Sequence, residues 1–336
     1  MAHSTELGSF NPNQLNTHSQ FARKDSTEGL GTELLEHEVV LPQIDENVYT
    51  SSTFELESPI GNEKRLALIK RVLNSPEEGR LLWQSSENLK YISQNEASHS
   101  ALDRVYGGPL MHEEESAEQY ELADLFLSNL HTAMAARNRF RIVQDVYHQE
   151  IADHFSLNGH SGEMSTLSIA AGSSRALMEK MAGTDTKDRE RMKLRLVDAS
   201  DVAVSDGVKL AQELGIENTV DVRQANFLRF NHYLEEGYAP RFTEIVGLFD
   251  YVPNSLVVKT LERVREQMPD GGSILYSSVS PNDEQEFLHN IIGWRPMEYR
   301  TSEEMTTLAS QAGFDAKNVL LIEEPLKMCN LVLVRK

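Results

Sequence analysis

The 336 residues are 40% hydrophobic and carry 32 Lys and Arg against 52 Asp and Glu, a formal net charge of −20. Such an acidic chain repels phosphate, which argues against nucleic acid and anionic membranes as main partners. No apolar run approaches the roughly 20 residues that span a bilayer, so no membrane insertion is expected.

The single cysteine, Cys329, lies in an apolar run and reads as a core residue. A disulfide framework within the chain is excluded, which fits a reducing cytoplasm. The first residues, Met-Ala-His-Ser-Thr-Glu, lack the basic-then-apolar pattern of a secretory signal. The expected location is cytoplasmic.

Residues 1–58 are rich in Ser, Thr, Asn, Gln and Glu and predict a largely irregular arm. Residues 59–155 predict a helical cap. Leu66, Ile69, Val72 and Leu73 share one helical face, and Ser75-Pro76-Glu77-Glu78 has the form of a capping box. A helix through Leu81, Leu82, Leu89 and Ile92 follows, then a loop over Asp103–His112 containing Tyr106-Gly107-Gly108-Pro109. A further helical stretch begins near Ala117 and leads through Arg137, Arg139 and Arg141 to Phe155.

From residue 156 onward the pattern alternates between strand and helix, predicting an α/β fold with a parallel sheet. Strands are expected at Thr166–Ala171, Lys193–Val197, Val220–Gln224, Glu244–Leu248 and Ser273–Ser277. Two more, Val319–Glu323 and Asn330–Val334, are close enough in sequence to pair antiparallel as a hairpin. Helices are expected at Arg175–Met181, Ser205–Leu214 and Ser255–Met268, and after the capping box Thr301-Ser302-Glu303-Glu304.

Three features carry chemistry. The turn Ala170-Ala171-Gly172-Ser173-Ser174 has little side-chain bulk, so a ligand can approach the backbone and the helix that follows. The second strand ends in Asp198, beside Ala199, at a distance suited to accepting hydrogen bonds from ribose hydroxyls. The turn carries neither a three-glycine dinucleotide fingerprint nor a triphosphate-binding loop. Phe249, Asp250 and Tyr251 end the fourth strand, at the sheet edge where α/β folds bind ligands. Asp250 there could orient or deprotonate an acceptor, or merely cap the next helix.

The arginines 137, 139 and 141 form either a solvated basic face or, through Arg139, a carboxylate site. Tyr147 and His148 follow within two turns, His148 as a possible general base. Trp294, Arg295, Tyr299 and Arg300 sit in an insertion that could form an acceptor lid. His148 and His154 near Asp153, and His112 beside residues 113–115, match no metal spacing, so no metal is expected.

The seven strands with a terminal hairpin, SIAAGSSRA after the first, RLVDAS at the second, QANFLRF at the third, GLFDYVPN at the fourth and MPDGGSILYSS at the fifth resemble the class I S-adenosylmethionine-dependent methyltransferases. The resemblance runs from Arg137 onward. It implies a seven-stranded Rossmann-like methyltransferase sheet of five parallel strands plus the antiparallel pair, over residues 156–336. It implies S-adenosylmethionine as cofactor, held by Ala170, Ala171, Gly172, Asp198, Ala199, Asn226, Phe227, Phe249 and Arg139. Asp250, Tyr251 and His148 are the catalytic candidates, and Tyr106, Tyr147, Trp294, Arg295 and Arg300 the acceptor-binding ones.

RNRF, GLFDY and YRTSEEM also look like a bacterial subgroup related to enzymes making hydroxy fatty acid methyl esters. The expected partner is a small-molecule acceptor methylated on oxygen or nitrogen; a homodimer stays open. The sequence departs from the family where Ser168 replaces the usual acid, Ala170 the usual first glycine and Asn226 the usual Asp. With Ser168 neutral, the cofactor's ammonium group needs another partner. Two rivals follow: a different group transfer on the same fold, or a binding protein that has lost turnover.

Overall fold

A computed structural model describes residues 62–95, 98–107, 126–157, 162–229 and 238–336. The expected arm of residues 1–58, and residues 108–125 with the start of the helix expected near Ala117, lie outside the described residues.

The cap begins with α1 (Asn62–Asn74) and α2 (Pro76–Ser85). Ser75 caps α2 by accepting from the Glu78 backbone, with Pro76 in the first helical position. Glu78 instead turns to Arg71, at 2.6 Å. The single helix expected through Ile92 is broken. Buried Ser86 accepts from the Leu89 backbone N–H at 2.8 Å and starts α3 (Glu87–Gln94). The expected loop at Asp103 is also corrected: residues up to Gly107 form α4 (His99–Gly107). Ala101 is fully buried there as α4 packs against α3 and α5, and that burial overrides the breaker signal of the downstream glycines.

Helix α5 (His131–Leu157) runs for 27 residues from the cap into the sheet domain. The sheet contains β1 (Met164–Ile169), β2 (Met192–Asp198), β3 (Val220–Gln224), β4 (Phe242–Ile245), β5 (Ser273–Val279), β6 (Val319–Glu323) and β7 (Cys329–Arg335). Their order is β3-β2-β1-β4-β5-β7-β6, with β1 to β5 parallel and β7 antiparallel to both neighbours. This is the seven-stranded Rossmann-like sheet with an antiparallel terminal pair that the sequence predicts. The fourth strand is shorter than expected, because the chain turns away at Gly247 with φ +87°.

Between the strands lie α6 (Arg175–Ala182), α7 (Asp201–Glu213), α8 (Asn254–Gln267) and α9 (Ser302–Gln311). Alternation along the strands divides the core in two. Met164, Leu194, Leu196, Phe242, Leu275 and Leu331 join α5 and α6 on one face. Leu167, Ile169, Val197, Ile245, Ile274 and Val332 join α8 and α9 on the other. Both faces are covered, which explains the near-continuous apolar runs of the strands.

The cap has its own core, in which Leu68, Ile69, Leu89 and Leu130 meet Phe287, Leu288 and Ile292 from the segment after β5. Glu284, fully buried at this junction, pairs with Arg65 of α1. It also accepts from the His131 and Thr132 backbone N–H groups, both at 2.9 Å, at the start of α5. Among the described residues no helix is long and apolar enough to cross a membrane.

Candidate active site

The turn after β1 is held in an unusual conformation. Ala170, Gly172 and Ser174 have φ of +54°, +55° and +48°, which costs about 1 kcal/mol or more for each non-glycine residue. Fixed backbone hydrogen bonds hold it: the Ala171 N–H donates to Val197 O at 3.2 Å, and the Ser174 N–H to Ala171 O at 2.8 Å. Gly172 is required on space as well as φ, since a Cβ there would lie 2.7 Å from His99 Cβ of α4.

The Asp198 carboxylate accepts from the Gly172 N–H and the Ser200 N–H, each at 2.8 Å. The acid and the turn predicted from spacing are therefore joined directly. Each carboxylate oxygen keeps a further lone pair, so hydroxyls can still be accepted.

This edge opens on a cavity of about 390 Å³. Ala170, Ala171, Gly172 and Asp198 line it together with Tyr106, Arg139, Asp250, Tyr251 and Trp294. Arg139 is 5% exposed, which excludes the solvated-face reading. Its Nη1 lies 3.7 Å from Asp250 Oδ2 and its Nη2 donates to Tyr106 Oη at 3.4 Å. Burial alone would lower the Arg139 pKa, but Tyr106, Cys329 and Asp250 more than offset it and hold the guanidinium charged. Burial raises the Asp250 pKa, against the opposing pull of Arg139 and of the Val279 N–H, which donates at 2.7 Å. Tyr251 Oη accepts from Trp294 Nε1 at 2.9 Å, and Arg295 lies over the Tyr251 ring at 5.3 Å.

Other predicted residues stand elsewhere. His148 is exposed on the outer side of α5, away from the cavity. Tyr147 is buried in the sheet core, hydrogen-bonded to Thr166 Oγ1 at 3.1 Å and stacked on Phe242. Helical spacing puts 139 and 147 about two turns apart, but the cavity ends before Tyr147. Arg300 is 2% exposed and donates to the carbonyls of Phe249 and Val252, the latter at 2.6 Å, and to Asn254 Oδ1 at 2.7 Å. It is a brace for the 3₁₀ turn Phe249–Tyr251 and does not line the cavity. Phe249 is a core residue set edge-on to Tyr276. Ala199 is exposed, and its carbonyl accepts from Gln224. Asn226 Oδ1 is used by the Leu228 N–H at 2.9 Å, and Phe227 packs on the core; neither lines the cavity.

Three lining residues escape a reading by motif. His99 and Asp103 of α4 reach across to the sheet domain: His99 Nε2 lies 3.0 Å from Asp206 Oδ2, and Ser173 Oγ donates to both Asp103 carboxylate oxygens at 3.3 Å. Asp103 falls at the start of the stretch that reads as a loop in the sequence, and His99 just before it, outside any expected element. Glu244 of β4 is the third. A charged residue inside the run Phe242-Thr243-Glu244-Ile245-Val246 was the available signal, because a buried strand rarely spends a position on a carboxylate.

The residues fit a nucleoside cofactor with an amino-acid tail, given the open turn, the acid at the end of β2 and buried groups of both signs. No group of three or more His, Cys, Asp or Glu suited to a metal occurs among the described residues.

Among solved structures, the chain is similar to a “possible exported protein” from Bordetella parapertussis, at 18% identity and a TM-score of 0.61, covering 82% of this chain and 96% of that one. That likeness is one of fold. More distant is a “putative O-methyltransferase” from Nostoc punctiforme PCC 73102, at 12% identity and a TM-score of 0.45, covering 77% and 72%. Another is the magnesium protoporphyrin IX methyltransferase ChlM from Synechocystis PCC 6803 with bound SAM, at 12% identity and a TM-score of 0.43, covering 62% and 85%. No curated protein matches the chain. A family model described as “Putative methyltransferase” matches residues 112–324. Spanning more than half of the 336 residues, that match makes the chain a member of this methyltransferase family.

Proposed function

We propose that the chain transfers a methyl group from S-adenosylmethionine to a small-molecule acceptor, on oxygen or nitrogen. The observation that carries the reading is the Gly172–Asp198 hydrogen bond at the carboxyl ends of β1 and β2, opening on a cavity also lined by buried Arg139 and Asp250. Bound there, the cofactor would supply a methyl group on a sulfonium, activated for in-line displacement.

The chain's own residues then do four things. The bare turn Ala170-Ala171-Gly172 gives close access to the backbone, and Asp198 accepts from ribose hydroxyls. The cap helices, within residues 59–155, cover the acceptor and exclude water. Arg139 orients an acceptor carboxylate by charge-assisted hydrogen bonds. Asp250 serves as base when the acceptor is a hydroxyl or an amine, with Tyr251 and Trp294 shaping the wall.

A carboxylate acceptor needs no base. That choice accords with the resemblance to hydroxy fatty acid methyl ester enzymes and with Arg139 facing the cavity. Residues 156–336 form the cofactor-binding part in this reading.

The test is calorimetric titration with S-adenosylmethionine and S-adenosylhomocysteine, followed by a screen of carboxylic, hydroxyl and amine acceptors for methylated product. Micromolar binding of both and methyl transfer to one class supports the reading. Binding of neither refutes it, and transfer of a group other than methyl moves the chain to a different reaction.

A further inference from the structure

Four carboxylates line the cavity: Asp103, Asp198, Glu244 and Asp250. Asp198 is committed to two backbone N–H groups, and Asp250 to the Val279 N–H and to Arg139. Asp103 accepts from Ser173, with the positive charge of Arg175 close by. Glu244 differs. It is 8% exposed, accepts from the Ser168 hydroxyl and a Val246 backbone group, and feels the charge of Arg139 without an ion pair to it among the described residues.

Its place in the sheet is specific. Ser168 of β1 and Glu244 of β4 are register partners on adjacent parallel strands. Alternation sends both side chains to the α5 face, the side from which Arg139 comes. Glu244 thus stands one strand across from Ser168, just before the turn that begins at Ala170. Burying a carboxylate whose hydrogen bonds come only from neutral groups is costly, and Arg139, the cation that acts on Glu244, is already paired with Asp250, so a further cation beside Glu244 would be favourable.

On the reading that the cavity takes S-adenosylmethionine, we propose that Glu244 is the partner of the cofactor's α-ammonium group. The carboxylate missing from position 168 is supplied from the neighbouring strand, and the Ser168 hydroxyl orients it. Glu244 is then a determinant for ligands that end in a free primary amine.

The experiment is calorimetry with S-adenosylhomocysteine and with its analogue lacking the α-amino group. It is run on the wild-type chain, on E244Q, and on a swap variant combining Ser168→Asp with Glu244→Ser. Work at about pH 8 keeps Glu244 ionised, since burial pushes its pKa up to about 7. The wild type should lose on the order of tenfold to a hundredfold in affinity when the amine is removed, the loss of one charged hydrogen bond. E244Q should bind both ligands about equally and weakly, and the swap variant should regain the preference for the amine. Circular dichroism monitors folding, and the swap variant reads the same preference if E244Q alone does not fold. An amine preference retained in full by E244Q overturns the assignment and leaves the proposed function standing. Failure of the wild type to bind S-adenosylhomocysteine overturns the proposed function itself.

Discussion

The junction at Glu284 makes the sharpest statement about stability. One carboxylate, fully buried, serves the Arg65 guanidinium, the backbone N–H groups of His131 and Thr132, and the Thr132 hydroxyl at 2.6 Å. Glu284→Ala removes all of these at once. Arg65, itself 5% exposed, would keep Asp283 at 3.2 Å, an acid 44% exposed to solvent. Breaking a buried pair by removing one partner costs about 3–5 kcal/mol, and losing a helix cap about 1 kcal/mol. The two overlap in the same carboxylate, so the expected loss is about 4 kcal/mol.

Removing both charges, as in Arg65→Met with Glu284→Met, still loses the cap on α5 but leaves no buried guanidinium without its carboxylate, and should cost less than Glu284→Ala alone. Urea unfolding followed by tryptophan fluorescence reads the change, because Trp83 lies on α2 and Trp294 packs against the cap core. A Glu284→Ala variant within about 0.5 kcal/mol of wild type would refute the claim that this carboxylate ties the cap to the sheet domain.

Other predictions concern the site. Asp198→Ala should weaken S-adenosylhomocysteine binding by about 1–3 kcal/mol, read by calorimetry, since charged hydrogen bonds to hydroxyls are lost. Gly172→Ala should lower the thermal midpoint, because the new Cβ meets His99 Cβ at 2.7 Å at a φ of +55°; pairing it with His99→Gly should recover part of the loss. Arg139→Met should abolish methyl transfer while leaving a folded chain by circular dichroism; wild-type turnover would remove Arg139 from the site. Burial, reinforced by Arg65 and opposed by Asp283, lowers the His131 pKa to about 4 from an ordinary 6.5. As pH falls through that window the unfolded chain takes up the proton first, so stability present above about 6.5 should be lost toward pH 4. His131→Asn should flatten that part of a stability–pH profile.

The sheet was legible because buried parallel strands write unbroken apolar runs, and because Gly271 and Gly313 punctuate them. The turn and Asp198 were legible for a related reason: their spacing follows from one strand–helix–strand unit. The cap was less so. α4 ends at Gly107 in a sequence that looks like a loop, and its helicity comes from burial of Ala101 against α5, a tertiary effect. Arg300 and Tyr147 show a further limit. Their types suit a ligand, yet nothing local says whether a polar tip will meet a cavity or a carbonyl. Glu244 was in view as a strand residue, but only the pairing of β1 with β4 brings it to Ser168.

The sheet order also bears on how the chain is made. β7 lies between β5 and β6, bonded to β5 from Ser273↔Arg335 to Val279↔Cys329 and to β6 along its other side. During synthesis β6 leaves the ribosome before β7 does, and has no neighbour to pair with. The flank of β5 stays open for the same interval, an unpaired edge next to a finished five-strand sheet. A nascent chain halted between β6 and β7 would therefore carry two sticky strand edges at once. A lesion in β7 would split the sheet and cast β6 loose, with consequences well beyond a trimmed border.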